Sequence, residues 1–381
     1  MRTARAVAGV FAVSVIAATS SPLAQQQAPA PVVVRPIEPP ANPLPAESAS
    51  AAVRKFAFIA YGDTRGPADG AIIQPQHAAV VDAILQSLAA ERADGFPVRF
   101  VVQSGDAVIN GRNAAQWNTS FAPIIERLTR DAGLPYFFAV GNHDLGGRSV
   151  GDPDRETGVR NVEAAMAHLW PPEGSARRLN GYPAFAFGFG QMFFIAFDSN
   201  IPEDPVQLAW VTAQLEKLDR QRFPIVVAIF HHPPLTTGPH GGPIVEKESA
   251  AIRRLYLPLF RKYHVRMTIT GHDHLYDHFI EHYDDQTGTH RMDHVVSGGG
   301  GAPIYRYSGE QDLALFIAAA APQHVVVEHA VRPGAEEGDN PHHFVIFEVD
   351  GDRIWEKIVA TVARPFLPEG QPRIELTDRR N

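Results

Sequence analysis

Five short apolar runs, each of strand length, recur along the chain, and every one ends directly in Asp, Asn or His. KFAFIAYGD runs into Asp63, RFVVQSGD into Asp106, and YFFAVGNHD into Asn142 and His143. IVVAIFHH ends in His231 and His232, and VRMTITGHDH in His272 and His274. The stretches between them carry apolar residues at helix spacing: Val81, Ile84, Leu85 and Leu88, then Trp117, Phe121, Ile124 and Leu128. Leu208, Val211, Leu215 and Leu218 follow, then Ile252, Leu255, Tyr256 and Leu259. Strands alternating with helices predict a largely sandwiched sheet with helices on its faces. YPAFAFGFGQMFFIAFDS reads as a hairpin, and HFVIFEVDGDRIWEKIVA as another turning at Asp350-Gly351.

Ligand sites in such sheets form at the carboxyl ends of the strands. One Gly-Asp after a strand is usually only a turn. Five polar endings in order, all carboxylate, amide or imidazole and none a thiolate, predict a hard or borderline metal centre.

With 381 residues, 45% of them hydrophobic and 20% charged, the chain has enough apolar material for one sizeable core. Its formal net charge of −8, with no run of lysines or arginines, argues against nucleic acid as the main partner. Arg2 and Arg5 precede an apolar run from Ala6 to Ala18 and then small residues, so 1–24 is expected to be a secretory signal peptide cleaved after Ala24, with Ser20 the alternative. The run is too short for the ~20 apolar residues of a membrane span. A periplasmic or secreted location follows. Without cysteine there is no disulfide, and extra stability has to come from packing or bound metal. Residues 25–52, rich in proline, read as an extended linker. The domain is expected over 53–365, with 309–342 an insertion or long loop, and 366–381 a C-terminal tail.

The string TITGHDHLYDH (268–278) admits two hydrolase readings. The metallo-β-lactamase pattern His-x-His-x-Asp-His fails by one residue, because Leu275 and Tyr276 both intervene before Asp277 and His278. A zincin reading of His290 to His294 fails for want of the glutamate after the first histidine. The second reading takes in the whole chain. GDTR (62–65), GDAVING (105–111), GNHD (141–144), HHPP (231–234) and GHDH (271–274), with the glycine run Ser297–Gly301, resemble the calcineurin-like metallophosphoesterase superfamily from about Phe56 to Gly301.

That resemblance implies an α/β fold of four layers, a β-sandwich of two mixed sheets flanked by helices. It also implies two divalent or trivalent ions (iron, manganese or zinc) and a small phosphorylated substrate. The first ion would take Asp63, Asp106 and His274, and the second Asp106, Asn142, His231 and His272. His143 would contact phosphate and protonate the leaving oxygen. The chemistry is consistent with those residue types: paired ions activate water and clamp the attacking and leaving oxygens, and a positioned imidazole adds ~10²–10⁴-fold as general acid.

Two positions depart from the family pattern. Many members bind the first metal with a histidine where this chain has Arg65. Arginine stays protonated and cannot ligate, so the first site loses a ligand. Arg65 instead either grips a substrate phosphate or makes an outward ion pair. Ile109 stands where purple acid phosphatases carry their iron-binding tyrosine and where protein phosphatases carry the aspartate that orients the catalytic histidine. The chain is therefore expected outside both branches. His232 is expected beside the site rather than in it, Asp144 as a helix cap or loop anchor, and Asp277 and His278 either behind the metal ligands or as simple surface groups. Rival functions are another metal hydrolase or a catalytically weak metal- or phosphate-binding module.

Overall fold

The computed structural model describes residues 32–66, 70–362 and 373–376. All five apolar runs are strands: β1 (Lys55–Tyr61), β2 (Val98–Gln103), β3 (Tyr136–Phe138), β7 (Ile225–Ile229) and β8 (Met267–Thr270). The first expected hairpin is β5 (Ala184–Phe189) with β6 (Met192–Ala196), and the second is β12 (His343–Asp350) with β13 (Arg353–Ala360), turning at Gly351. The remaining strands are β4 (Arg178–Leu179), β9 (Tyr276–Asp285), β10 (Gly288–Ser297), β11 (Val325–Val331) and β14 (Ile374–Glu375).

The strands form two mixed sheets. One has the order β14-β13-β12-β1-β2-β3, with β1, β2 and β3 parallel and the others antiparallel. The second has the order β11-β9-β10-β8-β7-β6-β5-β4, with a parallel centre from β10 to β6. Phenylalanines from both sheets meet between them. Phe58 of β1 lies 5.3 Å from Phe100 of β2, 4.9 Å from Phe347 of β12 and 5.2 Å from Phe194 of the facing sheet, centroid to centroid. Strands buried on both faces explain why these runs are continuously apolar rather than alternating.

Helices cover the outer faces: α1 (Pro75–Ala93), then α2 (Ala114–Gln116) and α3 (Ala122–Glu126) joined by π-type turns, α4 (Asn142–Leu145), α5 (Pro153–Met166), α6 (Pro205–Glu216), α7 (Lys247–Lys262) and α8 (Gln311–Ala320). Proline sits at the first helical position of α1, α5 and α6, and Asp152 and Asp204 cap α5 and α6 through their carboxylates. Phe193, Phe197, Phe230, Tyr256 and Phe260 form a second core between the eight-stranded sheet and α6 and α7. The four-layer arrangement implied by the sequence is the one observed.

Three segments outside this pattern carry structure of their own. Residues 33–50, read as a spacer, lie along the domain: Ile37 N donates to Ala165 O at 3.0 Å, Arg177 pairs with Glu47 at 3.0 Å, and Val34, Ile37 and Ser50 are buried. Within 309–342, α8 packs on the surface and β11 extends the larger sheet beside β9. Residues 374–375 of the expected tail pair with β13. The signal-peptide reading of 1–24 lies outside the described residues. Among the described residues no helix is long and apolar enough to cross a membrane.

Phe58 joins both sheets at the centre of the sandwich, so Phe58→Ala leaves a cavity that neither sheet can close alone. Chemical denaturation should show a loss of about 3–5 kcal/mol. A loss under about 1 kcal/mol would contradict this packing.

Candidate metal centre

β1, β2, β3, β7 and β8 all end at one edge of the sandwich, and their polar endings converge there. Three of these residues have left-handed backbone: Asp63 (φ 59°), Asp106 (φ 55°) and His272 (φ 70°). L-residues rarely adopt such angles, at a cost of order 1–3 kcal/mol each, and they persist only where their surroundings over-determine them. Here they do. Asp144 accepts from the main-chain N–H groups of Asp106 (2.8 Å), Ala107 (2.9 Å) and Gly141 (2.7 Å). His272 N donates to Asp63 Oδ2 at 2.9 Å, and Asp63 N to Gly105 O at 2.9 Å. Gly141 and Gly271 allow this closeness, since a Cβ on either would collide with the Asp106 or Asp63 carboxylate.

The hydrogen-bond partners of the histidines define which ring nitrogen is free. Ser104 O accepts from His231 Nδ1 at 2.9 Å, so His231 presents a bare Nε2. The Glu246 carboxylate accepts from His272 Nε2 at 2.9 Å, so His272 presents a bare Nδ1. These two bare nitrogens lie 3.1 Å apart. Asn142 Oδ1 is 3.0 Å and Asp106 Oδ1 3.4 Å from the same His231 Nε2. Acceptors converge with no donor shared among them, an arrangement that a cation resolves.

On the neighbouring side, Pro303 O accepts from His274 Nδ1 at 2.7 Å, leaving His274 Nε2 facing Asp63 Oδ1 at 3.6 Å. Asp63 Oδ1 is buried and makes no hydrogen bond. Ligand atoms of Asp63, Asp106 and His231 lie within 4.8 Å of one another, so the residues fit a metal ion.

Electrostatics favour the ligating forms of the imidazoles. Burial lowers the His231 imidazole and holds those of His272 and His274 down to about 3, leaving all three neutral at physiological pH. Burial also pushes the Asp63 carboxyl well above its ordinary range, reinforced by the charge of Asp106. Burial acts on Asp106 in the same direction, but the imidazoles of His231 and His143, charged at the low pH where this carboxyl titrates, and the Arg65 guanidinium outweigh it and hold the carboxyl below the usual range.

His143 stands at the rim. Its Nδ1 donates to the main-chain oxygen of Ile109 at 2.8 Å, and its Nε2 is 4.0 Å from Asp106 Oδ2. The side chain of Ile109 offers no partner, yet its carbonyl orients the imidazole. A cavity of about 350 Å³ opens beside it, lined by Asn110, Arg112, Asn142 and Arg148 among others. A larger apolar cavity, about 550 Å³, lies under the 33–50 strap and shares no residue with the site.

Arg65 points inward, with Nε 3.4 Å from Asp106 Oδ2 and Nη2 3.4 Å from His274 Nε2. His232 lies beside the site, its Nδ1 2.9 Å from Ser199 Oγ and its ring 4.4 Å from that of His272, and ligand atoms of His232, Glu246 and His272 lie within 4.8 Å of one another. Asp277 and His278 are fully buried, so neither is a surface group: Asp277 accepts from Thr237 N and Oγ1, and His278 Nε2 donates to Asp293 at 2.9 Å. Glu246, just before α7, and His240, whose Nδ1 donates to Glu246 at 2.7 Å, escaped the sequence reading because neither adjoins a strand end.

Residues 58–276 match the calcineurin-like phosphoesterase family, and the chain belongs to it, a family of metal-dependent phosphoester hydrolases. Among curated proteins, a probable purple acid phosphatase of Arabidopsis thaliana is 26% identical over 63% of this chain and 54% of its own length. Among solved structures, a purple acid phosphatase from yellow lupin seeds superposes with a TM-score of 0.59 at 19% identity, over 84% of this chain and 53% of its own. The chain thus spans about half the length of these relatives. Its expected separation from the purple acid branch is not borne out. Ile109 in place of tyrosine is a single side-chain difference, and it does not set the chain apart from these proteins.

Asp144→Asn places an amide donor against the N–H groups that Asp144 now satisfies, loosening the strained Asp106. A competing-chelator titration should show metal affinity reduced by about 10–100-fold. Unchanged affinity would mean that Asp144 does not hold Asp106 in place.

Proposed function

We propose that the protein is an exported phosphoesterase, periplasmic or secreted, that hydrolyses small phosphomonoesters or phosphodiesters. The observation that carries this reading is the convergence of bare acceptors from His231, His272, Asn142 and Asp106 beside an oriented imidazole, His143. Asp63, Asp106 and His274 are assigned to a first cation and Asp106, Asn142, His231 and His272 to a second, with iron, manganese or zinc compatible with this donor set. Such ions, when bound, lower the pKa of water to about 7 and so supply a nucleophile at neutral pH.

The chain's own residues do the rest. Asp106 is assigned to both groups and would be shared between the two ions. Arg65 holds positive charge near the place where a phosphoryl group would lie. His143, with Nδ1–H held by Ile109 O, directs Nε2 into the site; in its imidazolium form it gives the Nε2 proton to the departing oxygen and is left neutral. The rim cavity beside His143 receives the leaving group. A mere binding module would gain nothing from an imidazole oriented in this way.

Chelated protein assayed on p-nitrophenyl phosphate and bis-p-nitrophenyl phosphate, with metals restored one at a time, tests the activity directly. His143→Ala should keep its metal and lower kcat by ~10²–10⁴-fold on alkyl esters. The loss should shrink on p-nitrophenyl esters, whose leaving group needs little protonation. An equal loss across the series would assign His143 to stabilising phosphoryl charge instead, and loss of metal would make it a ligand.

A further inference from the structure

The two halves of the site differ in one respect. His231 Nε2 meets His272 Nδ1, Asn142 Oδ1 and Asp106 Oδ1, all acceptors, whereas the half formed by Asp63, Asp106 and His274 already contains a cation. Arg65 Nη2 lies 3.4 Å from the bare His274 Nε2, and Arg65 Nε lies 3.4 Å from Asp106 Oδ2. These are two of the atoms that the first ion would need. On the reading proposed above, we infer that Arg65 is a tethered cation occupying the first-ion position, so that the resting centre holds one tight metal ion and one guanidinium.

The placement is built into the backbone. Thr64 N and Arg65 N both donate to Asp106 O, at 2.9 and 3.0 Å, so the residue that carries the guanidinium is locked to the residue it neutralises. The Arg65 side chain is only 14% exposed, and its Nε, buried and without a hydrogen bond, lies within ion-pair distance of the Asp106 carboxylate. A guanidinium does not lose its proton in a protein. An ion entering this half would have to displace it from both His274 and Asp106 and then remain beside a fixed positive charge, in a buried setting where salt screens little. The guanidinium also supplies, without metal, part of what the first ion would offer: a positive group with planar N–H donors, suited to the oxygens of a phosphate.

A change in groups that merely orient ligands costs about 10–100-fold in metal affinity. Replacing a ligand by a competing cation should weaken the first ion relative to the second by more than about 100-fold. Metal-free protein titrated with Mn²⁺ should therefore take up one tight equivalent, with the electron paramagnetic resonance signal of an isolated ion. Arg65→His, which removes the competitor and restores a ligand, should take up two ions that are spin-coupled. Arg65→Gln, which removes the charge but adds no imidazole, should strengthen the second equivalent by at least about tenfold over the native protein, and it guards against misfolding of the histidine variant.

Two tight, coupled ions in the native protein would overturn the inference while leaving the phosphoesterase reading intact. So would a single ion in both folded variants. Absence of any bound ion in all three proteins would overturn the metal centre itself, and the inference with it.

Discussion

His231 and His272 turn unprotonated nitrogens toward each other across 3.1 Å, each forced into that form by an acceptor behind it, the Ser104 carbonyl and the Glu246 carboxylate. Asn142 and Asp106 add oxygens to the same point. Buried acceptors without donors are costly. The strand ends, the left-handed residues and the close glycines all serve to bring them together. The sandwich supplies the edge on which they stand, and a cation bound there would offset the cost of burying them.

Strain is concentrated at the same place. Asp63, Asp106 and His272 each hold positive φ, and each is tied down by main-chain hydrogen bonds that cross from one strand end to the next. Asp144 is the most heavily committed of these ties, with three N–H groups on one carboxylate. Burial and the charge of Asp106 push its carboxyl well above the ordinary range, against the pull of those three donors. Because the donors have no other acceptor, the orientation of Asp106 depends on Asp144 remaining where it is.

Much of this was legible in the sequence. Runs buried on both faces are continuously apolar, so β1, β2, β3, β7 and β8 stood out, and the polar residue after each marked the edge where the site forms. What stayed hidden has physical causes. Glu246 and His240 reach the site from the approach to α7, by a tertiary contact with no sequence period. The partner of His143 is a main-chain carbonyl, which every residue carries, so Ile109 looked like a missing partner. Whether Arg65 turned inward or outward depended on the surroundings of Asp106 and His274, 41 and 209 positions further along the chain. The proline-rich segment 33–50 has neither helix nor strand spacing, yet it docks through isolated contacts such as Ile37 and Glu47. The single difference at Ile109 pointed away from purple acid phosphatases, an exclusion that the similarity to a probable purple acid phosphatase over 63% of the chain does not bear out.

Asp106 is the residue assigned to both proposed ligand groups, and the proposed metal centre stands or falls with it. Elemental analysis of native protein and Asp106→Asn, both folded and reconstituted in parallel, tests this most directly. The native protein is expected to retain bound metal after exhaustive dialysis and the variant to retain none. Equal metal content in the two proteins, or no metal in either, would contradict the metal centre described above.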